Sequence, residues 1–135
     1  MKKVSFDAIP FVPASHEDKK DPANLRKILL SYQDLIDGRI QMVNWARLLP
    51  KRKFASHYHE DMEELFLLIS GRAKIIVDGE EEIMRKGDVV IVPIGAVHTM
   101  ENVTDDTIEY IVIGISLGEN GKTIIVEKTS RNAHE

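Results

Sequence analysis

The stretch HYHEDMEELFLLISG (57–71), taken with GDVVIVPIGAVHTMEN (87–102), decides the fold. Between them these segments carry His57, His59, Glu64 and His98, three imidazoles and one carboxylate in a chain with only five histidines. Side chains alternate across a β-strand, so two histidines two apart point to the same face. A carboxylate on the next strand and an imidazole from farther along can then close around one divalent ion. Strand alternation sends Glu63 to the opposite face, which leaves Glu64 as the expected ligand; a loop one residue shorter would exchange them. His16 and His134 fall in expected loop or tail segments and are read as uninvolved.

Outward from this pair of segments, the chain from Gly38 onward reads as short strands separated by turn chemistry. IQMVNWARLL (40–49) is rich in β-prone residues and stops at Pro50. Residues 73–77 and 81–85 flank Asp78-Gly79, a hairpin signal because both turn residues tolerate positive φ. Residues 88–92 end at Pro93, and 108–116 and 122–127 are two more strands joined through Glu119-Asn120-Gly121. Many short strands at close spacing predict an all-β sandwich or barrel. The predicted organisation is an N-terminal extension over 1–37, a barrel over 38–128 and a polar tail over 129–135. Within the extension two readings compete. Asp21-Pro22 can cap a helix carrying Leu25, Ile28, Leu29, Tyr32, Leu35 and Ile36. Alternatively, residues 26–30 form an edge strand followed by one helical turn capped by Ser31, and this second reading is the one expected.

Composition narrows the chemistry. The 135 residues include no cysteine, so neither a disulfide framework nor a thiolate metal site can form and the ligands must be nitrogen and oxygen. A net charge of −4 argues against nucleic acid or an anionic membrane as partner. No apolar run approaches the ~20 residues of a membrane span. The opening MKKVSFDAIPFVP is broken by Asp7 and Pro10 before a signal-like apolar core develops, so a cytoplasmic location is expected.

The two segments resemble the paired motifs of the cupin superfamily. The first has the form H-x-H, four residues, E, six residues, G, filled by His57, His59, Glu64 and Gly71. The second has the form G, five residues, P-x-G, two residues, H, three residues, N, filled by Gly87, Pro93, Gly95, His98 and Asn102. The resemblance implies a double-stranded β-helix, a jelly-roll barrel, and His57, His59, Glu64 and His98 as metal ligands. One position departs from the pattern. A glycine usually stands six residues before the first histidine, and here Lys51 follows Pro50. Lysine would strain a turn that needs positive φ, so a different loop is expected there.

Three neutral imidazoles and one carboxylate on a divalent ion leave a centre near +1, which favours an anionic ligand or a developing oxyanion. Four protein ligands on an octahedral ion leave two open positions for bidentate coordination, which suits manganese, iron, cobalt or nickel better than zinc. The resemblance favours manganese or iron. Parity places Ala55, Phe66, Leu68 and Met100 on the pocket wall. Tyr110, Gln41, Asn44 and Arg47 are the candidate acid, base or polar residues. Leu65, Leu67, Ile69 and both faces of IEYIVIGI (108–115) are apolar, so the outer face needs cover. A homodimer is expected to provide it, with the N-terminal segment as the alternative. Cupin folds carry dioxygenases, decarboxylases, isomerases and non-catalytic binding modules. The expected function is therefore a metal-dependent reaction on a small oxygenated anion, with a metal-dependent binding module as the alternative.

Overall fold

A computed structural model describes residues 3–35, 39–116 and 123–126. Eleven strands are seen: β1 (Val12–Pro13), β2 (Asn24–Ser31), β3 (Ile40–Leu48), β4 (His57–His59), β5 (Met62–Ser70) and β6 (Arg72–Val77), followed by β7 (Glu80–Arg85), β8 (Val89–Val92), β9 (His98–Asn102), β10 (Ile108–Ser116) and β11 (Thr123–Ile125). They form two antiparallel sheets, one of order β1-β2-β3-β10-β5-β8 and one of order β11-β4-β9-β6-β7. This is the two-sheet arrangement expected from the strand pattern and the jelly roll that the resemblance implies. No helix among the described residues is long and apolar enough to cross a membrane. Gly38, the turn at Glu119-Asn120-Gly121, His134 and the polar tail lie outside the described residues.

Period-two patterning builds the interior. Along β10, and along β5 as far as Ile69, buried and half-buried residues alternate. The inward set, Phe66 and Leu68 with Ile108, Tyr110 and Val112, joins Leu48, Phe54, Ile75, Met84, Val92 and Met100 in one apolar core. Each such large side chain contributes ~1.5–3 kcal/mol on burial. The β6–β7 hairpin turns on Asp78 (φ 48°) and Gly79 (φ 84°), both left-handed, as the Asp-Gly pair predicts.

The N-terminal segment takes the strand reading rather than the helical one. β2 pairs with β3 over most of its length, and Ser31 with Asp34 forms a capping box on the 3₁₀ turn Tyr32–Asp34. β3 offers the 24–31 segment a ladder of interstrand hydrogen bonds, which outweighs its modest helical spacing. β2 is not the sheet edge along its whole length, because Val12 and Pro13 of β1 pair with Arg26 and Leu25. Asp21, instead of capping a helix, pairs with Arg52 at 3.4 Å.

The loop at Lys51 corrects an expectation. Lys51 adopts φ 59°, so the left-handed turn is retained with lysine where a glycine would be unstrained. Asn102 explains why the turn persists. Fully buried, its amide donates to the carbonyls of Leu48, Leu49 and Asp106, while its own N–H bonds to the carbonyl of Arg52. The loop is thus pinned on both sides of Lys51, and surrounding bonds hold a costly conformation.

Two glycine exchanges should act in opposite directions. Lys51→Gly relieves ~1–2 kcal/mol of left-handed strain and returns ~0.5–1 kcal/mol of added chain entropy, for a net gain of about 0.5 kcal/mol. Gly71 has φ 82°, and a Cβ there would run into the Ile108 side chain. Gly71→Ala should therefore cost roughly 2 kcal/mol or more. Denaturant midpoints would measure both, and a loss of stability in Lys51→Gly would contradict the strain assignment.

Candidate metal centre

His57 and His59 are the two ends of β4, and both are buried while Tyr58 between them is half-exposed. β4 pairs with β9 through His57 and His98, which brings the third imidazole alongside. Glu64 comes from β5 in the other sheet, facing inward and 5% exposed, while Glu63 is turned to the opposite face. The four residues each offer one ligand atom, and these atoms all lie within 4.8 Å of one another. The structure thus gathers the four sequence candidates at one point between the sheets.

The hydrogen bonds orient the nitrogens. His57 Nδ1 lies 2.6 Å from the Ala55 carbonyl and His98 Nδ1 lies 3.0 Å from the Ala96 carbonyl. A carbonyl only accepts, so both Nδ1 atoms carry the proton and both Nε2 atoms present lone pairs. His59 Nδ1 is 3.0 Å from the Thr123 hydroxyl, which leaves its Nε2 facing inward. His59 Nε2 and His98 Nε2 each stand 3.0 Å from the same Glu64 oxygen. At His98 this sets a lone pair against a carboxylate unless the ring takes a second proton. A divalent cation shared by these atoms removes that conflict, and backbone carbonyls on the far nitrogens are what ligating histidines commonly have. The donor set therefore fits a nitrogen- and oxygen-bound divalent ion.

Burial and charge keep the donors in the right state. Burial, with the neighbouring His16 and His98, lowers the His57 pKa to about 3, so the ring is neutral at ordinary pH. Burial alone would raise the Glu64 pKa, but its contacts with the His59 and His98 rings, which favour the ionised form once a cation or a proton sits between them, outweigh it and hold the carboxyl well below its usual range.

The other sequence candidates fall into separate groups. Asn44 and Tyr110 are buried on the inner face, and the Tyr110 hydroxyl donates to Asn24 Oδ1 at 3.1 Å. Burial raises the Tyr110 pKa, which makes it a poor proton donor to solvent. Arg47 lies on the outer face, 3.7 Å from Glu109 and 4.0 Å over the Phe11 ring. Gln41, half-buried, sits where the β3–β10 register shifts and has no cross-strand partner there. Phe66 packs edge-on to His98 at 5.9 Å, and the Ala55 carbonyl is the His57 partner named above. Leu68 and Met100 are fully buried in the core.

One expectation is overturned. His16, read as uninvolved, is half-buried and stacks on His57 at 4.6 Å with an interplanar angle of 24°. Burial lowers its pKa to about 4. β1 is the cause. By pairing with β2 it carries residues 14–17 over the mouth of the barrel, where Glu17 accepts hydrogen bonds from the Ala23 and Asn24 N–H groups. Phe54 also went unread, yet it lies 5.3 Å from His57 and 6.1 Å from His98. Neither residue belongs to a motif, and only a contact distant in sequence brings His16 to the site.

The fold and the donor set agree with the known proteins most like this chain. Residues 44–114, more than half of the chain, match the cupin domain family. This chain belongs to the cupin superfamily. Among curated relatives, mannose-1-phosphate guanylyltransferase of Salmonella montevideo is 33% identical over 103 residues, 75% of this chain and 22% of that protein. This cupin spans less than half the length of the first curated relatives it matches, the other being an uncharacterized Aquifex aeolicus protein of which 40% is covered. In structure it is similar to a predicted oxalate decarboxylase of Thermotoga maritima, with TM-score 0.76, 21% identity, and coverage of 86% and 100% of the two chains. It is also similar to a cupin sugar phosphate isomerase of Silicibacter pomeroyi, with TM-score 0.73, 21% identity, and coverage of 94% and 83%.

The buried imidazoles set a pH dependence for the metal-free protein. An unfolded histidine takes up its proton near pH 6.5, whereas folded His16 and His57 do so only near 4 and 3. Between those values the unfolded chain binds more protons, so stability falls as pH falls below about 6.5. Glu64, depressed below its ordinary 4.5, adds a further loss at the acid end. Urea midpoints of the metal-free protein from pH 7.5 to 4 should decline steadily, and a flat profile would mean that the rings are not held neutral.

Proposed function

We propose that this cupin binds one divalent metal ion through His57, His59, Glu64 and His98 and acts on a small oxygenated anion, carboxylate- or sugar-like, that coordinates beside it. The observation supporting this most strongly is the convergence of three imidazole Nε2 atoms and a Glu64 oxygen in a buried site, with their far nitrogens tied to Ala55, Ala96 and Thr123. When bound, the ion supplies a Lewis acid and open coordination positions. The chain's own residues do the rest. Phe54 and Phe66 wall the site and exclude water, and the carbonyls of Ala55 and Ala96 fix the tautomers of His57 and His98. Manganese or iron is the proposed metal: the donor chemistry admits either, and the resemblance to oxygen- and carboxylate-handling cupins favours them.

An enzyme is favoured over a passive binding module by one observation. A binding module needs no titratable group beyond its ligands, and here His16 and Glu17 stand against the site, His16 stacked on His57 and 3.7 Å from Glu17. Such a pair can hold or pass a proton next to the reacting ligand. His59→Ala should reduce bound metal from one equivalent to below a tenth while leaving the β-sheet circular dichroism unchanged. Elemental analysis of protein purified without added metal checks this, and full occupancy in the variant would refute the ligand set.

We also propose that the protein is a homodimer. Residues 6–11 cover part of the outer face, Phe6 lying 5.1 Å from the Trp45 ring. The apolar row Leu65, Leu67, Ile111 and Ile113 continues beyond it to Val89 and Ile91, which are 52% and 50% exposed. A face of this kind supports association with a second copy. The double variant Val89→Lys, Ile91→Lys should run as a monomer by light scattering where the parent chain runs as a dimer; a monomeric parent would end the idea.

A further inference from the structure

Four of the five buried side-chain atoms without a hydrogen-bond partner among the described residues belong to one neighbourhood: Arg26 Nε, Asn44 Oδ1, His16 Nε2 and Glu17 Oε2. Such atoms are costly to bury when nothing meets them, and folded proteins carry few. Their placement follows from register. Arg26 lies two residues from buried Asn24 on β2 and opposite buried Ala46 on β3, so it faces inward over a small side chain. Asn44, 2% exposed, is two residues from Ala46 on the same inner face and thus diagonal to Arg26. On the other side stands His16, on the mouth of the barrel and against His57, and the Arg26 charge is among the causes that lower its pKa. Glu17 is fixed through its other oxygen to Ala23 and Asn24, and its Oε2 stands 3.7 Å from His16 Nε2, beyond hydrogen-bond reach.

The donor and acceptor inventory says what would satisfy them. A half-buried guanidinium whose Nε meets no acceptor among the described residues calls for a carboxylate, which Arg binds in a planar fork. Asn44 Oδ1 and Glu17 Oε2 are acceptors and call for hydroxyl hydrogens. A plain carboxylate would leave the acceptors unmet, and a neutral polyol would leave the guanidinium unmet.

We propose that Arg26, Asn44, His16 and Glu17 form a subsite that selects a hydroxy acid, Arg26 gripping its carboxylate and Asn44 and Glu17 accepting from its hydroxyls. The proposal deepens the metal-dependent reading, since the same ligand would reach the His57–His59–Glu64–His98 centre with its remaining oxygens. Arg26 is a specificity-determining residue in this account and Asn44 a second.

A three-carbon series tests it by calorimetry on the manganese-loaded protein: glycerate, with carboxylate and hydroxyls; propionate, with carboxylate alone; and glycerol, with hydroxyls alone. Glycerate should bind at least tenfold more tightly than either, the size of effect one charge-assisted hydrogen bond gives. Arg26→Gln should weaken glycerate tenfold to a hundredfold with metal content unchanged, and Arg26→Lys should recover part of the loss. Equal affinity for the three compounds, no glycerate binding, or an unaffected Arg26→Gln would overturn the subsite. Repeating the titrations on metal-free protein separates the two readings. Failure to take up manganese together with Arg26-dependent glycerate binding would sink the metal centre alone. One manganese per chain with an indifferent Arg26→Gln would sink the subsite alone.

Discussion

Glu64 places a carboxylate in the middle of a protein, and much of the molecule can be understood as the means of keeping it there. A buried, unpaired anion costs several kcal/mol even after relaxation, so it survives only with partners that answer its charge. Here imidazoles stand 3.0 Å away on β4 and β9 while the carboxylate arrives on β5, and a cation held among them would answer the charge. Because β4 and β9 belong to one sheet and β5 to the other, the site exists only where the two sheets close on each other. Folding the barrel and assembling the donor set are the same event.

The surroundings of the site divide into an apolar and a polar half. Toward the core, Phe54, Phe66, Leu68, Ile75 and Met100 pack as an ordinary interior, dry and close-fitting. Toward the mouth, the N-terminal residues contribute His16, Glu17, Asn24 and Arg26, several with hydrogen-bonding atoms unmet by protein. An apolar floor strengthens electrostatic interactions at the metal centre, and a polar mouth gives an incoming molecule something to recognise. The guanylyltransferase relative shows that a cupin segment like this one can form part of a much longer protein, while the structural neighbours share the fold at about a fifth identity. Fold alone does not choose among chemistries; the mouth residues are what this chain adds to the common frame.

Small backbone devices carry a large part of the arrangement. Two carbonyls, each two residues before a histidine, set the tautomers of His57 and His98. One asparagine, Asn102, ties the end of β9 to the end of β3 and holds Lys51 in a conformation that lysine disfavours. The strain is local and the restraints come from elsewhere in the chain, which is why residue identity at position 51 misleads when read in isolation.

Period-two alternation made the strands and the inward facing of His57, His59 and Glu64 legible from the amino acids alone, and turn chemistry did the same for the Asp78-Gly79 hairpin, because each depends on near neighbours in the chain. The capped turn at Ser31 was legible for the same reason. What the amino acids did not disclose was the company the site keeps. His16 looked like a loop histidine, and Arg26 and Glu17 belong to no motif, yet the pairing of β1 with β2 and of β2 with β3 sets them over the barrel mouth. Local patterning states which side of a strand a residue takes. Only the closure of one sheet on another decides what that side will face.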